Sequence, residues 1–192
     1  MALQDLLLAA STSTEKEEII LSADFYNAWN SLLSDEKLRK LASSRDFRLV
    51  YVPHPSFRPY MDSLKLPSYV EVADLNSLSL QQYISQSSLL ITDYSSITFD
   101  AAYIGIPTIY YQFDRDEIFG GNHNFRRGYF NYDSDGFGPV VTHFSEVVNL
   151  IESELSRKDL AERFASRINS TFPTIDQNNS SRIVRVLTSL RC

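Results

Sequence analysis

Apolar residues recur at two different spacings along this chain, and the changes between them outline its elements. Residues 1–45 read as helical with breaks: Phe25, Trp29, Leu32 and Leu33 fall at helical spacing, and a further short helix follows Ser34-Asp35-Glu36 through Leu38 and Leu41. Thr14-Glu15-Lys16-Glu17 has the spacing of a capping box ahead of Ile19, Ile20 and Ala23. Phe47 to Val52 then reads as a strand, stopped at Pro53-His54-Pro55, where a proline on either side of His54 excludes helix. Further strands are predicted at residues 69–72, 89–92, 108–111 and 140–141, with short helices at 79–85 and 97–104. The helix after Ile97 stops at Gly105-Ile106-Pro107, and three closing helices are predicted over 145–156, 159–169 and 178–190. Strands alternating with short helices predict an α/β fold, a Rossmann-like parallel sheet with flanking helices.

One boundary in that pattern carries chemistry. The apolar run Leu89-Leu90-Ile91 gives way to Thr92-Asp93-Tyr94-Ser95-Ser96, and a helix follows at once. Small hydroxyl residues then stand at a helix N-terminus, where unpaired N–H groups and the helix dipole favour an anion such as phosphate. Two adjacent serines serve equally as ordinary caps, so Ser95 and Ser96 read as either. His54 follows a strand, at the edge where ligands of such sheets gather, and suits a phosphate contact or proton donation as well as a plain turn. Asp93 in the turn and Asp100 a turn into the helix read as ligand or turn supports, or as caps and helix electrostatics. Residues 112–139 form a connection rich in Gly, Asn, Asp and aromatics, a length that is often functional. Within it Arg126 and Arg127 are phosphate-ligand candidates. His123 and His143 are weaker candidates, and Asp114, Asp116 and Glu117 lack metal-ligand spacing.

Composition narrows the class. The chain has 192 residues, 43% hydrophobic and 22% charged, enough for a globular domain with its own core. A net charge of −6 argues against a nucleic-acid partner, which needs a basic face. The single cysteine, Cys192, allows neither an internal disulfide nor a zinc cluster. No apolar run approaches the ~20 residues of a membrane span, and the first residues, MALQDLLLAAS, lack the basic start of a secretory leader.

Together the motifs resemble a known family. PHP at 53–55, ITDYSSITFD at 91–100, GIPTIYY at 105–111, FD at 113–114, RRGYFNYD at 126–133 and GP at 138–139 occur in the order found in CDP-glycerol glycerophosphotransferases, the teichoic-acid primases and polymerases. The resemblance covers roughly residues 45–155. Phe137 stands where the family often has proline, the family's PTWR-like strand is absent, and residues 1–33 do not match the family's pattern.

That resemblance implies a GT-B architecture, of which this chain holds the C-terminal, nucleotide-binding half. Residues 1–44 would be a helical segment packed on the core, and 45–192 the Rossmann-like domain. His54, as the catalytic residue, and the Ser95-Ser96 turn would face the diphosphate of CDP-glycerol, with Asp93 and Asp100 supporting the turn. Arg127 and Gly128 match an RG element that closes over the donor. The reaction implied is attack of an acceptor hydroxyl on the glycerol-bearing phosphorus, with CMP leaving and no metal or cofactor called for. The implied partners are a nucleotide-diphosphate donor, a lipid-linked polymer acceptor and an N-terminal GT-B domain outside this chain. The implied location is cytoplasmic, at the inner face of the membrane. Two alternatives stay open: a nucleotide-sugar glycosyltransferase of capsule synthesis, and a non-catalytic nucleotide-binding or docking domain.

Overall fold

The computed structural model describes residues 10–54, 60–61, 64–119, 128–153 and 157–190. Among the described residues three helices come first: α1 (Ser13–Ser22), α2 (Asp24–Leu33) and α3 (Glu36–Ser44). The capping box of α1 forms at Thr12 and Glu15, two residues before the expected site. Thr12 Oγ1 accepts from the Glu15 N–H at 3.1 Å, and the Glu15 carboxylate accepts from the Thr12 N–H at 3.0 Å. Asp35 caps α3 by accepting the Leu38 N–H at 2.8 Å. At its other end Asp46 turns left-handed, with φ of 53°, and the Phe47 N–H returns to the Ala42 carbonyl at 3.1 Å.

Five short strands follow among the described residues. β1 (Leu49–Tyr51) runs parallel to β2 (Val70–Val72), with Leu49 opposite Val70. After α4 (Leu80–Ser85), β3 (Leu90–Thr92) leads through α5 (Ile97–Tyr103) into β4 (Thr108–Tyr111). Between α5 and β4, Gly105 takes φ of 77°, while its own N–H and that of Ile106 reach back to Ala102 and Ala101. This double bond closes the helix, and the left-handed position is one a β-carbon would strain. β4 lies between β3 and β5 (Val140–Val141) and is parallel to both, with Ile91 opposite Ile109 and Tyr111 opposite Val141. All four residues of β4 are buried, as suits a central strand.

The parallel α/β architecture expected from the pattern is therefore present. Among the described residues, however, the strands form two ladders rather than one continuous sheet. They are joined through side chains: Leu49 of β1 and Leu89 and Ile91 beside β4 border the same hydrophobic cluster. That cluster unites Leu32, Leu38 and Leu41 of α2 and α3, Ile109 and Tyr111 of β4, and Val147, Val148 and Ile151 of α7 (Phe144–Ser153). Leu160 and Phe164 of α8 (Arg157–Thr171) complete it. Helices α2 and α3 thus cover the three-stranded sheet, and the Trp29 ring meets Tyr111 edge-on at 5.6 Å. The last helix, α9 (Asn179–Ser189), buries no residue. None of the helices among the described residues is long and apolar enough to cross a membrane.

Candidate functional site

Because β3 and β4 are parallel neighbours, the turns that follow them emerge at one edge of the sheet, where ligands of such folds gather. A cleft of about 410 Å³ opens there. Tyr94, Ser95, Ser96, Thr98 and Phe99 line it from the β3–α5 side. Arg115 and Phe119 line it from α6 (Arg115–Phe119), a short helix that the sequence pattern did not reveal. Residues 128–133 form the remaining wall.

Hydrogen bonds fix the three walls to one another. The Tyr94 hydroxyl donates to Asp114 Oδ1 at 2.9 Å, and the Tyr132 hydroxyl donates to the Tyr94 carbonyl at 3.0 Å. Gln112, fully buried behind the turn, donates from Nε2 to the Asp93 carbonyl at 3.4 Å. Arg115 grips Asp133 through both guanidinium nitrogens, the Nη1–Oδ1 bond being 3.0 Å. Aromatic rings pack behind the opening: Phe99 lies 5.1 Å from Phe130 and 5.0 Å from Phe137, and Tyr132 lies 5.1 Å from Tyr110.

The two serines differ. Ser95 Oγ accepts the Ile97 N–H at 3.4 Å, and the Ser95 carbonyl accepts the Thr98 hydroxyl at 3.3 Å. Ser96 stands at the cap position of α5 but makes no side-chain cap bond. So Ser95 does the ordinary capping work, while Ser96 lines the cleft without it.

The remaining sequence-stated candidates distribute unevenly. Gly128 lines the cleft, and a β-carbon there would meet nothing within 4 Å, so space does not demand glycine. Asp93 is half-buried in the turn, where its Oδ1 accepts the Tyr94 N–H at 2.6 Å. Asp100 is exposed in the first turn of α5 and is not among the lining residues. His54 is exposed beyond β1 and likewise does not line the cleft. Arg126, Arg127 and His123 lie outside the described residues. Tyr94, Arg115 and Asp133 were not singled out as site residues, and Asp114 was weighed only within an acidic cluster, because the pairings Tyr94–Asp114 and Arg115–Asp133 span 20 and 18 residues of chain.

The electrostatics follow from burial and these pairings. Burial, reinforced by Asp114, pushes the Tyr94 phenol far above its ordinary value. Burial also raises the Asp114 carboxyl, against the opposing Tyr94 hydrogen bond. Burial, with Asp93 nearby, pushes the Tyr51 phenol at the end of β1 up to about 12. Arg115 holds the Asp133 carboxyl below its usual range. The Tyr94, Tyr132 and Thr98 hydroxyls are spent on Asp114, the Tyr94 carbonyl and the Ser95 carbonyl, so the cleft's donors toward an anion are the Ser95 and Ser96 hydroxyls and the Arg115 N–H groups that Asp133 does not take.

The model of the family described as CDP-Glycerol:Poly(glycerophosphate) glycerophosphotransferase matches residues 14–189, well beyond the motif-bearing stretch; it takes in α2 and all but the first residue of α1, which corrects the expectation that residues 1–33 fall outside the family's pattern. The minor teichoic acid biosynthesis protein GgaB of Bacillus subtilis (strain 168) is 31% identical over 169 residues, covering 88% of this chain and 18% of GgaB. The teichoic acid poly(ribitol-phosphate) polymerase of Bacillus spizizenii (strain ATCC 23059 / NRRL B-14472 / W23) is 27% identical over 146 residues, or 72% of this chain and 21% of that protein. Among solved structures, the wall teichoic acid polymerase TagF superposes with a TM-score of 0.59 at 21% identity, over 84% of this chain and 39% of that one. A variant of TagF soaked with CDPG superposes with a TM-score of 0.58 at 19% identity, over the same shares of the two chains. At that identity the likeness establishes a shared fold. The chain spans about a fifth of these curated relatives, 18% and 21% of their lengths.

Proposed function

The chain belongs to the CDP-Glycerol:Poly(glycerophosphate) glycerophosphotransferase family, and from that premise we propose that it is the donor-binding domain of a teichoic-acid-type glycerophosphotransferase. The observation that carries this reading is the cleft at the carboxyl edge of β3 and β4, lined by Ser95, Ser96, Arg115 and Gly128. CDP-glycerol is the donor it would take. The diphosphate would lie against the Ser95-Ser96 turn, and Arg127 and Gly128 would close over it. Asp93 and Asp100 support the turn.

In the reaction, an acceptor hydroxyl oxygen attacks the phosphorus that bears glycerol. A new P–O bond forms, the P–O bond to CMP breaks, and the hydroxyl proton passes to a base. Negative charge builds on the phosphoryl oxygens, so fixed hydrogen-bond donors and cations are what the step requires. His54 is assigned a phosphoryl contact or the proton for the leaving phosphate, from its place beyond β1. Tyr51, which ends β1, lies near enough to Asp93 to feel its charge, which supports setting His54 at the same edge. The acceptor, a lipid-linked polymer, and the base would be held by the part of the longer protein that the relatives possess and this chain does not span. A cytoplasmic, membrane-peripheral location follows from such an acceptor.

Calorimetric titration with CDP-glycerol, CDP, CMP and UDP-sugars tests this reading, repeated with Ser95→Ala and His54→Ala. Selective binding of the cytidine compounds, weakened by both substitutions, is the expected result. Preference for a UDP-sugar would assign the cleft to a glycosyltransferase. Absence of binding by the folded chain would point to a docking domain.

A further inference from the structure

We propose that Arg115 is a phosphate ligand of the cleft, and that Asp133 is the acceptor a phosphate displaces from it. This inference rests on the donor-site reading above. Among the described residues lining the cleft, Arg115 is the only cation and Asp133 the only carboxylate. The described wall is therefore neutral overall, one charge cancelling the other. A diphosphate arriving there meets one cation, already engaged.

The pair is built asymmetrically. The Arg115 side chain is 29% exposed and that of Asp133 57% exposed. The cation thus sits deeper in the wall, and its carboxylate partner sits on the rim, in water. An exposed carboxylate gains little from pairing, since exposed ion pairs contribute roughly 0–1 kcal/mol. Its loss to an incoming anion costs correspondingly little. Asp133 takes two of the five guanidinium N–H donors, which leaves three for another acceptor. Arginine is also the side chain whose planar fork matches phosphate as well as carboxylate.

Asp133 is itself held in a turn of its own. Its N–H donates to Asn131 Oδ1 at 2.9 Å, and the Asn131 N–H donates to Asp135 Oδ2 at 2.8 Å. That turn does not depend on Arg115, so the guanidinium can change partner while the 128–136 wall keeps its shape. Tyr94 lies close enough for the Arg115 charge to act on its phenol, and Tyr94 adjoins the Ser95-Ser96 turn. A phosphate between Arg115 and that turn would receive donors from both sides.

The test separates a ligand from a structural staple by comparing the two halves of the pair. The chain and its Arg115→Ala and Asp133→Asn variants are titrated with CDP, cytidine and inorganic pyrophosphate at low ionic strength. Arg115→Ala should weaken CDP and pyrophosphate by about 10- to 100-fold and leave cytidine unchanged, since one charged hydrogen-bond pair is lost. Asp133→Asn keeps the cation and removes its competitor, so it should bind CDP and pyrophosphate more tightly than the parent chain. A merely structural pair would make the two variants alike; equal losses, or an Arg115→Ala variant that binds CDP normally, overturn the assignment while the donor-site reading stands. Failure of the parent chain to bind CDP or pyrophosphate overturns both.

Discussion

The Tyr94 hydroxyl donates to Asp114 Oδ1 at 2.9 Å, and so ties the turn after β3 to the turn after β4. Both residues are half-buried, and the carboxylate is drawn out of water to make the bond. The same Tyr94 receives Tyr132 on its carbonyl, so one residue links all three walls of the cleft. The cleft owes its fixed shape to this residue, which matters for a site that must meet charge without reorganising.

Asp114 accordingly gives the fold a pH dependence of defined sign. Burial raises its folded carboxyl above the unfolded value, so its contribution is full below about pH 4 and is lost as pH rises through the folded value. Asp114→Asn keeps an acceptor for Tyr94 and removes the charge. Thermal melts should show the variant gaining on the parent chain as pH is raised from about 4 to 7. An advantage that shrinks over that range would contradict the burial argument.

Gly138 is required by space alone. A β-carbon there would overlap the Thr108 carbonyl oxygen and lie 2.6 Å from its carbon, where β4 and β5 approach. Neither partner is a movable side chain. Gly138→Ala should cost about 3 kcal/mol or more, read as a lowered urea midpoint. A variant of unchanged midpoint would mean that the two strands pack less closely than this.

Two leucines separate the core from the surface. Leu32, 1% exposed, packs in the cluster with Ile109 and Val147, whereas Leu187 on α9 is 58% exposed. Leu32→Ala should cost about 2–5 kcal/mol. Leu187→Ala should stay within about 0.5 kcal/mol in this chain. Chemical denaturation of both variants checks the pair, and similar costs would refute the assignment of α2 to the core.

Asp46 closes α3 in a conformation that favours glycine, with φ of 53°. The left-handed position costs a residue with a β-carbon about 1–2 kcal/mol, and glycine returns roughly half of that in unfolded-state entropy. Asp46→Gly should therefore raise stability by about 0.5–1 kcal/mol. Loss of stability would show that Asp46 makes a contribution beyond its backbone angle.

What was legible in the sequence was local. The stop at Gly105-Ile106-Pro107 is a helix ending with a left-handed glycine, and the Ser95-Ser96 turn falls where the apolar run of β3 ends. The capping box was misread by two residues because Thr12 and Thr14 each precede a glutamate by three, and the pattern does not choose between them. The α6 helix, five residues long, is too short to show a period. Tyr94 with Asp114, and Arg115 with Asp133, are joined only by the parallel packing of β3 and β4 and the long return to β5. Each residue alone looks like an ordinary loop residue; the pairing that gives it a role is tertiary.

The most direct test of the donor site is a crystal structure of this chain soaked with CDP-glycerol. The account predicts the diphosphate in the β3–β4 cleft, within hydrogen-bond distance of the Ser95-Ser96 turn and of Arg115. Density for the nucleotide elsewhere on the chain, with this cleft holding only water, would contradict it.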